Sequence, residues 1–473
     1  MRTDENLKQN GDPAFQNSHT ARERHADTIA AISTPPGIGA VALVRISGPE
    51  SWQVARSLVK EKTRFDRLRE RENSVFTLVN SEKNGELDRA LVVKYRAPAS
   101  YTGEDIVEIQ CHGGLAVPDA VRQAAVSAGA RTAQAGEFTR RAFLNGKLDL
   151  AQAEAVDELI HARGERGRKL AYSALKGGLG REVGRLREIL LELKVEIEYG
   201  IDFPDEAPLE NLGERMKERS QEAKAEARSL LEGAERNLLL NRGALTVIAG
   251  APNVGKSSIF NRLLGRQRSI VTEQAGTTRD AVEMETMIEG MLFRLVDTAG
   301  LGKKPGGIEK IGVEYSRQYI AQADLVLFIH EAGTDFRKAE REFLRTFAEK
   351  KVVRVVNKID LLAGGEGVPE GYIPVSARQS KGLDELREKM LRAVLPQAGP
   401  EKMTAGGAQV TSQRQKGLLE DALRALENMN LENPPEFIAA DLSEACDFLG
   451  EITGNITGED VLDRVFSRFC IGK

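Results

Sequence analysis

The stretch Gly250-Ala251-Pro252-Asn253-Val254-Gly255-Lys256-Ser257 limits the fold of this chain more than any other. It follows the apolar run ALTVIAG and opens a helical pattern, the strand–loop–helix setting that a phosphate-binding loop requires. Glycines let backbone N–H groups turn inward around phosphate oxygens, and a helix start favours anions. Lys256 offers a point charge to the outer phosphates, and the Ser257 hydroxyl can bind Mg²⁺. Read alone, such a stretch is also compatible with a plain Gly-rich turn. The context is what distinguishes it: MLFRLVD, DLVLFIH and KVVRVVN are apolar strands alternating with helical stretches, which predicts a mostly parallel sheet.

Three further segments complete a nucleotide site. Asp297-Thr298-Ala299-Gly300 ends MLFRLVD, where a carboxylate can support the Mg²⁺ shell and Gly300 can offer an N–H to the γ-phosphate. Asn357-Lys358-Ile359-Asp360 closes KVVRVVN. The Asp360 carboxylate can accept from guanine N1–H and N2–H₂, for which adenine has no equivalent donors. Ser376-Ala377-Arg378 follows another short strand, where the backbone can meet guanine O6. The base is therefore expected to be guanine. Leu301 follows the aspartate loop, so the glutamine with which many GTPases orient water is missing. The loop Thr272-Glu273-Gln274-Ala275-Gly276-Thr277-Thr278 supplies a threonine for Mg²⁺, Thr278, and carbonyls that can hold a monovalent cation. The Asn253 side chain can face that same ion or can serve only to stabilise its loop.

Around this segment the chain changes texture. With 473 residues it is long enough for about three domains. Residues 1–26 are polar and aperiodic, the composition of a disordered tail. From Asp27, the runs DTIAAIS, AVALVRIS, RALVVKYRA and DIVEIQC predict a strand-rich α/β domain over 27–141. Helical periodicity over 142–240, with Leu186, Ile189, Leu190, Leu193 and Ile197, resumes within 398–473 with Leu418, Leu419, Ala422, Leu423 and Leu426. A lone C-terminal helical segment cannot bury its apolar stripe. Both pieces are therefore expected to form one helical domain into which the nucleotide domain, 241–397, is inserted. The net charge of −4 argues against a generally basic nucleic-acid binder, and 5% aromatic residues argue against base-stacking platforms. No apolar run reaches membrane-spanning length, no signal peptide opens the chain, and Cys111, Cys446 and Cys470 form no metal or disulfide pattern. A cytoplasmic protein is expected.

With its flanks, the nucleotide segment resembles the MnmE (TrmE) family of tRNA-modification GTPases. The likeness rests on TPPGIGAVALVRISG (34–48), SYTGEDIVEIQCHGG (100–114), GEFTRRAFLNGKLDLAQAEAVDELI (136–160), IDFPDE (201–206), GAPNVGKSS (250–258, ending at Ser258), AGTTRD (275–280) and FCIGK (469–473). It implies a multidomain α/β plus α chain whose N-terminal domain binds a tetrahydrofolate and dimerises. It implies a homodimeric, potassium-stimulated GTP hydrolase working with the flavoprotein MnmG (GidA), which carries FAD, in a heterotetramer. Together they would add an aminomethyl-type or carboxymethylaminomethyl group at C5 of the wobble uridine of certain tRNAs. The carbon would come from 5-formyl- or methylene-tetrahydrofolate. By resemblance, Asn253, Thr272, Gln274 and Thr277 contact K⁺, Ser257 and Thr278 contact Mg²⁺, and Glu309 orients water. Arg45, Glu108, Lys147 and Lys473 contact the folate, where Arg and Lys suit its glutamate tail and a carboxylate suits its pterin edge.

Blander readings stand beside these. Glu309 also reads as a solvated carboxylate, and Arg45 and Lys147 as surface ion pairs. Cys470 can be a thiol acting on the uracil ring or a buried cysteine, and His112 reads as structural or ligand-lining. The chain departs from the family pattern at Ile38, Ala40, Ala135 and Ser443, and in the Lys- and Gly-containing segment 302–307. A ribosome-assembly GTPase acting as an RNA-binding switch shares the nucleotide motifs. It would need an RNA-binding appendage where this chain has the folate-like domain.

Overall fold

The computed structural model describes residues 27–80, 85–203, 212–265, 283–297, 318–335, 338–362, 368–395 and 407–473. The chain separates into two compact units. One takes residues up to Asp157, Leu175–Ser229 and Gly417–Lys473; the other takes Glu158–Ala174 and Leu230–Lys416.

The first unit contains a six-stranded sheet built from β1 (Ile29–Ile32), β2 (Val41–Ser47), β3 (Asn73–Asn80), β4 (Gly85–Tyr95), β5 (Ile106–His112) and β6 (Arg131–Thr132). Their order is β3-β4-β5-β2-β1-β6, antiparallel except where β6 joins β1. Alternation in β2 sends Ala42, Val44 and Ile46 into the core, with Val92, Val107 and Ile109 of the neighbouring strands. Arg45 falls on the opposite face, directly across from Glu108. Trp52, the one tryptophan of the chain, donates Nε1–H to the Tyr95 carbonyl at 3.3 Å. The Lys94 ammonium and the Arg96 guanidinium lie 4.9 and 4.8 Å from its ring centroid.

The helix Glu137–Leu144 carries the largest fully buried side chain of this unit, Arg141. Its guanidinium bonds to Asp27 at 2.7 Å, Glu137 at 3.0 Å and Glu104 at 3.2 Å, and Arg131 also pairs with Asp27 and Glu137. Three carboxylates thus surround two guanidiniums, which is what allows a charged group to sit at 1% exposure.

The helices Gly178–Asp202 and Pro435–Thr453 pack along each other in the same unit. The expected stripe Leu186, Leu190, Leu193 and Ile197 is buried there, with Ile189 only partly covered. Leu442, Ala445 and Leu449 are buried on the partner helix, and Arg187 Nε donates to the Cys446 carbonyl at 3.3 Å. The C-terminal segment therefore covers the helix before residue 240, as an apolar stripe that cannot stand alone requires.

The second unit is a doubly covered sheet of β7 (Ala244–Gly250), β8 (Glu283–Ile288), β9 (Met291–Asp297), β10 (Leu325–Glu331), β11 (Val352–Asn357) and β12 (Ile373–Val375). The order is β12-β11-β10-β7-β9-β8, and every pairing is parallel except β8 with β9. Apolar clusters line both faces, which explains why β7 and β10 read as continuous hydrophobic runs. The helices Lys256–Leu264 and Leu383–Val394 cover one face. In such sheets ligands sit outside the carboxyl ends of the strands, and β7, β9, β10 and β11 end at Gly250, Asp297, Glu331 and Asn357.

Candidate nucleotide site and a second charged cluster

The chain leaves β7 at Gly250, whose φ of +147° brings its Cα so near the Ile329 carbonyl that an added Cβ would lie 2.2 Å away. Asn253 takes φ +66°, a left-handed conformation that asparagine tolerates better than most residues. Gly255, at φ +92°, starts the helix Lys256–Leu264, with Ser257 and Ser258 in its first turn. The loop folds around Lys256, whose ammonium donates to the carbonyls of Gly250 at 3.0 Å and Ala251 at 2.8 Å. Burial lowers the pKa of this amine, with Asp297 acting in the opposite direction. The Ser257 hydroxyl donates to Asp297 Oδ2 at 2.7 Å. The two oxygens expected to serve one hard cation are thus already adjacent, a donor pair that fits Mg²⁺.

Asn357 joins this loop to the base-binding side. Its Nδ2 donates to the Val254 carbonyl at 2.9 Å, and its Oδ1 accepts from the Ala377 amide at 3.1 Å. The approach is so close that a Cβ on Gly255 would meet Asn357 Nδ2 at 2.2 Å, so only glycine fits there. Lys358 occupies the left-handed region, φ +66°, and its ammonium pairs with Glu331 Oε1 at 2.8 Å. Such strain on a non-glycine residue clusters at functional sites. The Ser376 hydroxyl donates to Asp360 Oδ1 at 2.5 Å and holds that carboxyl below the usual aspartate range. Arg262, at the far end of the phosphate-loop helix, donates to the carbonyls of Ala377 at 2.8 Å and Arg378 at 3.3 Å.

Of the sequence-predicted nucleotide residues, Asn253, Val254, Gly255, Lys256, Ser257, Ser258, Asp297, Asn357, Lys358, Asp360, Ser376, Ala377 and Arg378 are described. Thr272, Glu273, Gln274, Ala275, Gly276, Thr277, Thr278, Thr298, Ala299, Gly300 and Glu309 lie outside the described residues. Arg262 and Glu331 were not singled out from sequence. Both act across more than 20 residues of chain, and neither belongs to a spaced pattern.

The first unit gathers a second set. Arg45 Nε and Nη2 bond to Glu108 Oε1 at 3.0 and 2.8 Å, while Nη1 is buried without a partner among the described residues. The guanidinium lies 5.3 Å from the Tyr101 ring centroid and 5.5 Å from that of Phe138. Tyr95 Oη donates to the other Glu108 oxygen at 3.4 Å. The Lys473 carbonyl accepts from the Phe138 amide at 3.1 Å, which holds this residue against the same helix. Burial and nearby Arg45 lower the Lys473 pKa, against Glu108. Lys147 points its ammonium to the Pro98 carbonyl at 3.0 Å, so the structure joins Arg45 and Glu108, with Lys473 in their field, while Lys147 has a separate partner. The residues missed here are Tyr95, Tyr101 and Phe138, ordinary aromatics until the sheet brings them around Arg45.

Cys470 is exposed, contrary to the buried reading of that thiol; beside it Phe469 is buried and the Cys470 carbonyl accepts from the Gly136 amide. His112 bonds through Nδ1 to Asp88 Oδ1 at 2.7 Å at an exposed strand end. Among the described residues no group of three His, Cys, Asp or Glu could hold a metal, and no helix is long and apolar enough to cross a membrane.

Comparison with known proteins places the chain in a family. The MnmE helical domain matches residues 150–470, and the GTP-binding protein TrmE N-terminus matches residues 28–147. The tRNA modification GTPase MnmE of Aquifex aeolicus (strain VF5) is 40% identical over 457 residues, covering 94% of this chain and 100% of that protein. Its counterpart in Thermotoga maritima is 39% identical over 461 residues, with the same coverage of 94% and 100%. Among solved structures, Aquifex aeolicus Era bound to GDP·AlF4− aligns with 41% of this chain and 69% of its own at 27% identity, with a TM-score of only 0.26. The near-complete span of the first two relatives, with both domain matches, decides the assignment: the chain belongs to the MnmE family of tRNA modification GTPases.

Proposed function

We propose that this protein binds and hydrolyses GTP and that hydrolysis serves the modification of tRNA wobble uridines. The observation that carries the reading is the Asn357 bridge, which holds the phosphate loop at Val254 and the base loop at Ala377 in one rigid frame. In that frame the Gly250–Lys256 backbone wraps phosphate oxygens, and Lys256 exchanges its two carbonyl partners for phosphate. Ser257 and Asp297 hold Mg²⁺, joined by Thr278. Asp360, oriented by Ser376, accepts the guanine N1–H and N2–H₂.

Asn253, Thr272, Gln274 and Thr277 hold K⁺, and Glu309 orients the attacking water. When bound, the two cations supply the charge neutralisation that other GTPases obtain from an arginine finger. In the N-terminal domain, Arg45, Glu108, Lys147 and Lys473 take a 5-formyl- or methylene-tetrahydrofolate. The unpartnered, buried Nη1 of Arg45 supports this, since a buried donor of this kind calls for an acceptor such as a carboxylate. The protein acts in the cytoplasm as a homodimer within a heterotetramer with the flavoprotein MnmG and its FAD. Cys470, exposed at the chain's docked end, is available to the uracil ring. Mass analysis of wobble uridines in cells lacking the protein tests the whole reading. The modified nucleoside is expected to disappear and to return with the wild-type chain but not with Asp360→Asn. Unchanged nucleosides in the deletion strain would refute it.

A further inference from the structure

The peptide planes that face the base are held from a place outside every nucleotide motif. Arg262 lies six positions beyond Lys256 on the same helix, and its Nε and Nη2 donate to the Ala377 and Arg378 carbonyls at 2.8 and 3.3 Å. Arg262 is itself anchored: its carbonyl accepts from Arg387 Nη2 at 3.3 Å, and Arg387 Nη1 pairs with Asp384 at 2.7 Å. Arg387 belongs to the helix Leu383–Val394 that follows the loop, so the helices on either side of the loop are clasped together. The loop is otherwise closed on itself by reciprocal Ser376–Lys381 backbone bonds of 3.1 and 3.2 Å.

In a trans peptide the C=O and N–H of one plane point in opposite directions. Fixing the Ala377 carbonyl therefore fixes the direction of the Arg378 N–H, which shares its plane. The preceding plane is fixed separately, because the Ala377 N–H donates to Asn357 Oδ1 at 3.1 Å. A cationic donor on a carbonyl also polarises the amide it is conjugated to, making the N–H a stronger donor.

We propose that Arg262 is a positioning residue for guanine recognition, aiming and polarising the Arg378 amide at O6 of the base. This rests on the reading of the site as one for GTP. Arg262 itself touches neither phosphate nor base; it acts through the two carbonyls.

The test is equilibrium titration of the nucleotide-free, full-length protein with GDP, IDP and 6-thio-GDP, with ADP as the control on the wild type. IDP retains O6 and lacks the 2-amino group, whereas 6-thio-GDP retains both Asp360 contacts and replaces O6 by a weak acceptor. Arg262→Ala is expected to weaken GDP and IDP equally, by about tenfold, and 6-thio-GDP by less than about threefold. Arg262→Lys, which keeps one charged donor, is expected to recover part of the GDP affinity. Equal weakening of all three nucleotides would mark a merely structural role and overturn the proposal, as would no weakening at all. A wild-type protein that does not prefer GDP to ADP would instead sink the guanine reading, leaving the two failures distinguishable.

Discussion

In the proposed reading one side chain, Asp360, makes a phosphate-binding fold guanine-specific. Its carboxylate accepts from Ser376 on one oxygen and remains near the loop surface, where a base can reach it. Replacing it by asparagine exchanges one acceptor for a donor, which matches xanthine O2 better than guanine N2–H₂. Asp360→Asn is expected to weaken GTP binding by at least about tenfold and to bring XTP to comparable or tighter binding, measured by competition with a fluorescent nucleotide. Retained preference for GTP would remove Asp360 from base recognition. At this scale the sequence was most informative where function depends on contiguous spacing. The run 250–257 and the segment 357–360 stand out because the residues the reading needs are adjacent in the chain. Arg262, Glu331, Tyr95 and Tyr101 were illegible because their partners lie far along the chain. Of the two readings open for Cys470, its exposure removes the buried one, since residue type predicts burial only on average.

The helix Glu137–Leu144 is pinned by an ion network. Burial raises the Glu137 pKa, but the Arg131 guanidinium, the Gln134 amide and Arg141 outweigh it and hold the carboxyl below its ordinary range. Asp27 is depressed in the same way, burial again opposing Arg131 and Arg141. A folded-state pKa below the unfolded value contributes stability that is present above the ordinary carboxylate range and is lost as pH falls through the folded value. Hydrogen exchange over 137–144, corrected for intrinsic rate, is expected to stay slow down to about pH 5 and to accelerate below about pH 4. Arg141→Met should strip three carboxylates of their bonds to the buried guanidinium and destabilise this region by about 2–3 kcal/mol at neutral pH, read as faster exchange of the same amides. Protection that ignores both acid and the substitution would show that packing alone holds the helix. Strand runs such as ALTVIAG and DLVLFIH were legible as elements because both faces are buried. The ion network was not, since nothing in the spacing of Asp27, Glu104 and Arg141 announces it.

At the scale of the whole molecule, the return of Gly417–Lys473 to the unit that holds Leu175–Ser229 brackets the nucleotide sheet between two stretches of one body. An isolated apolar helical stripe demands a partner, and within this unit Pro435–Thr453 packs along Gly178–Asp202. The chemistry of turnover belongs to this scale as well, since the proposed cation and water sites combine Asn253 with segments elsewhere in the second unit. GTP turnover by the full-length protein is expected to fall at least about tenfold when K⁺ is replaced by Na⁺ at constant ionic strength. Glu309→Ala should lower turnover by about tenfold or more in K⁺ while leaving GTP affinity within about twofold. Equal rates in the two salts would remove the potassium mechanism, and lost binding in the variant would make Glu309 structural.

Trp52 sits one hydrogen bond from Tyr95, and Tyr95 reaches Glu108. Because no other indole exists in the 473 residues, indole emission from the intact chain originates in the first unit, against the strand whose Tyr95 reaches Glu108. The protein thus carries its own optical probe: occupancy of the Arg45–Glu108 region can be followed without a label.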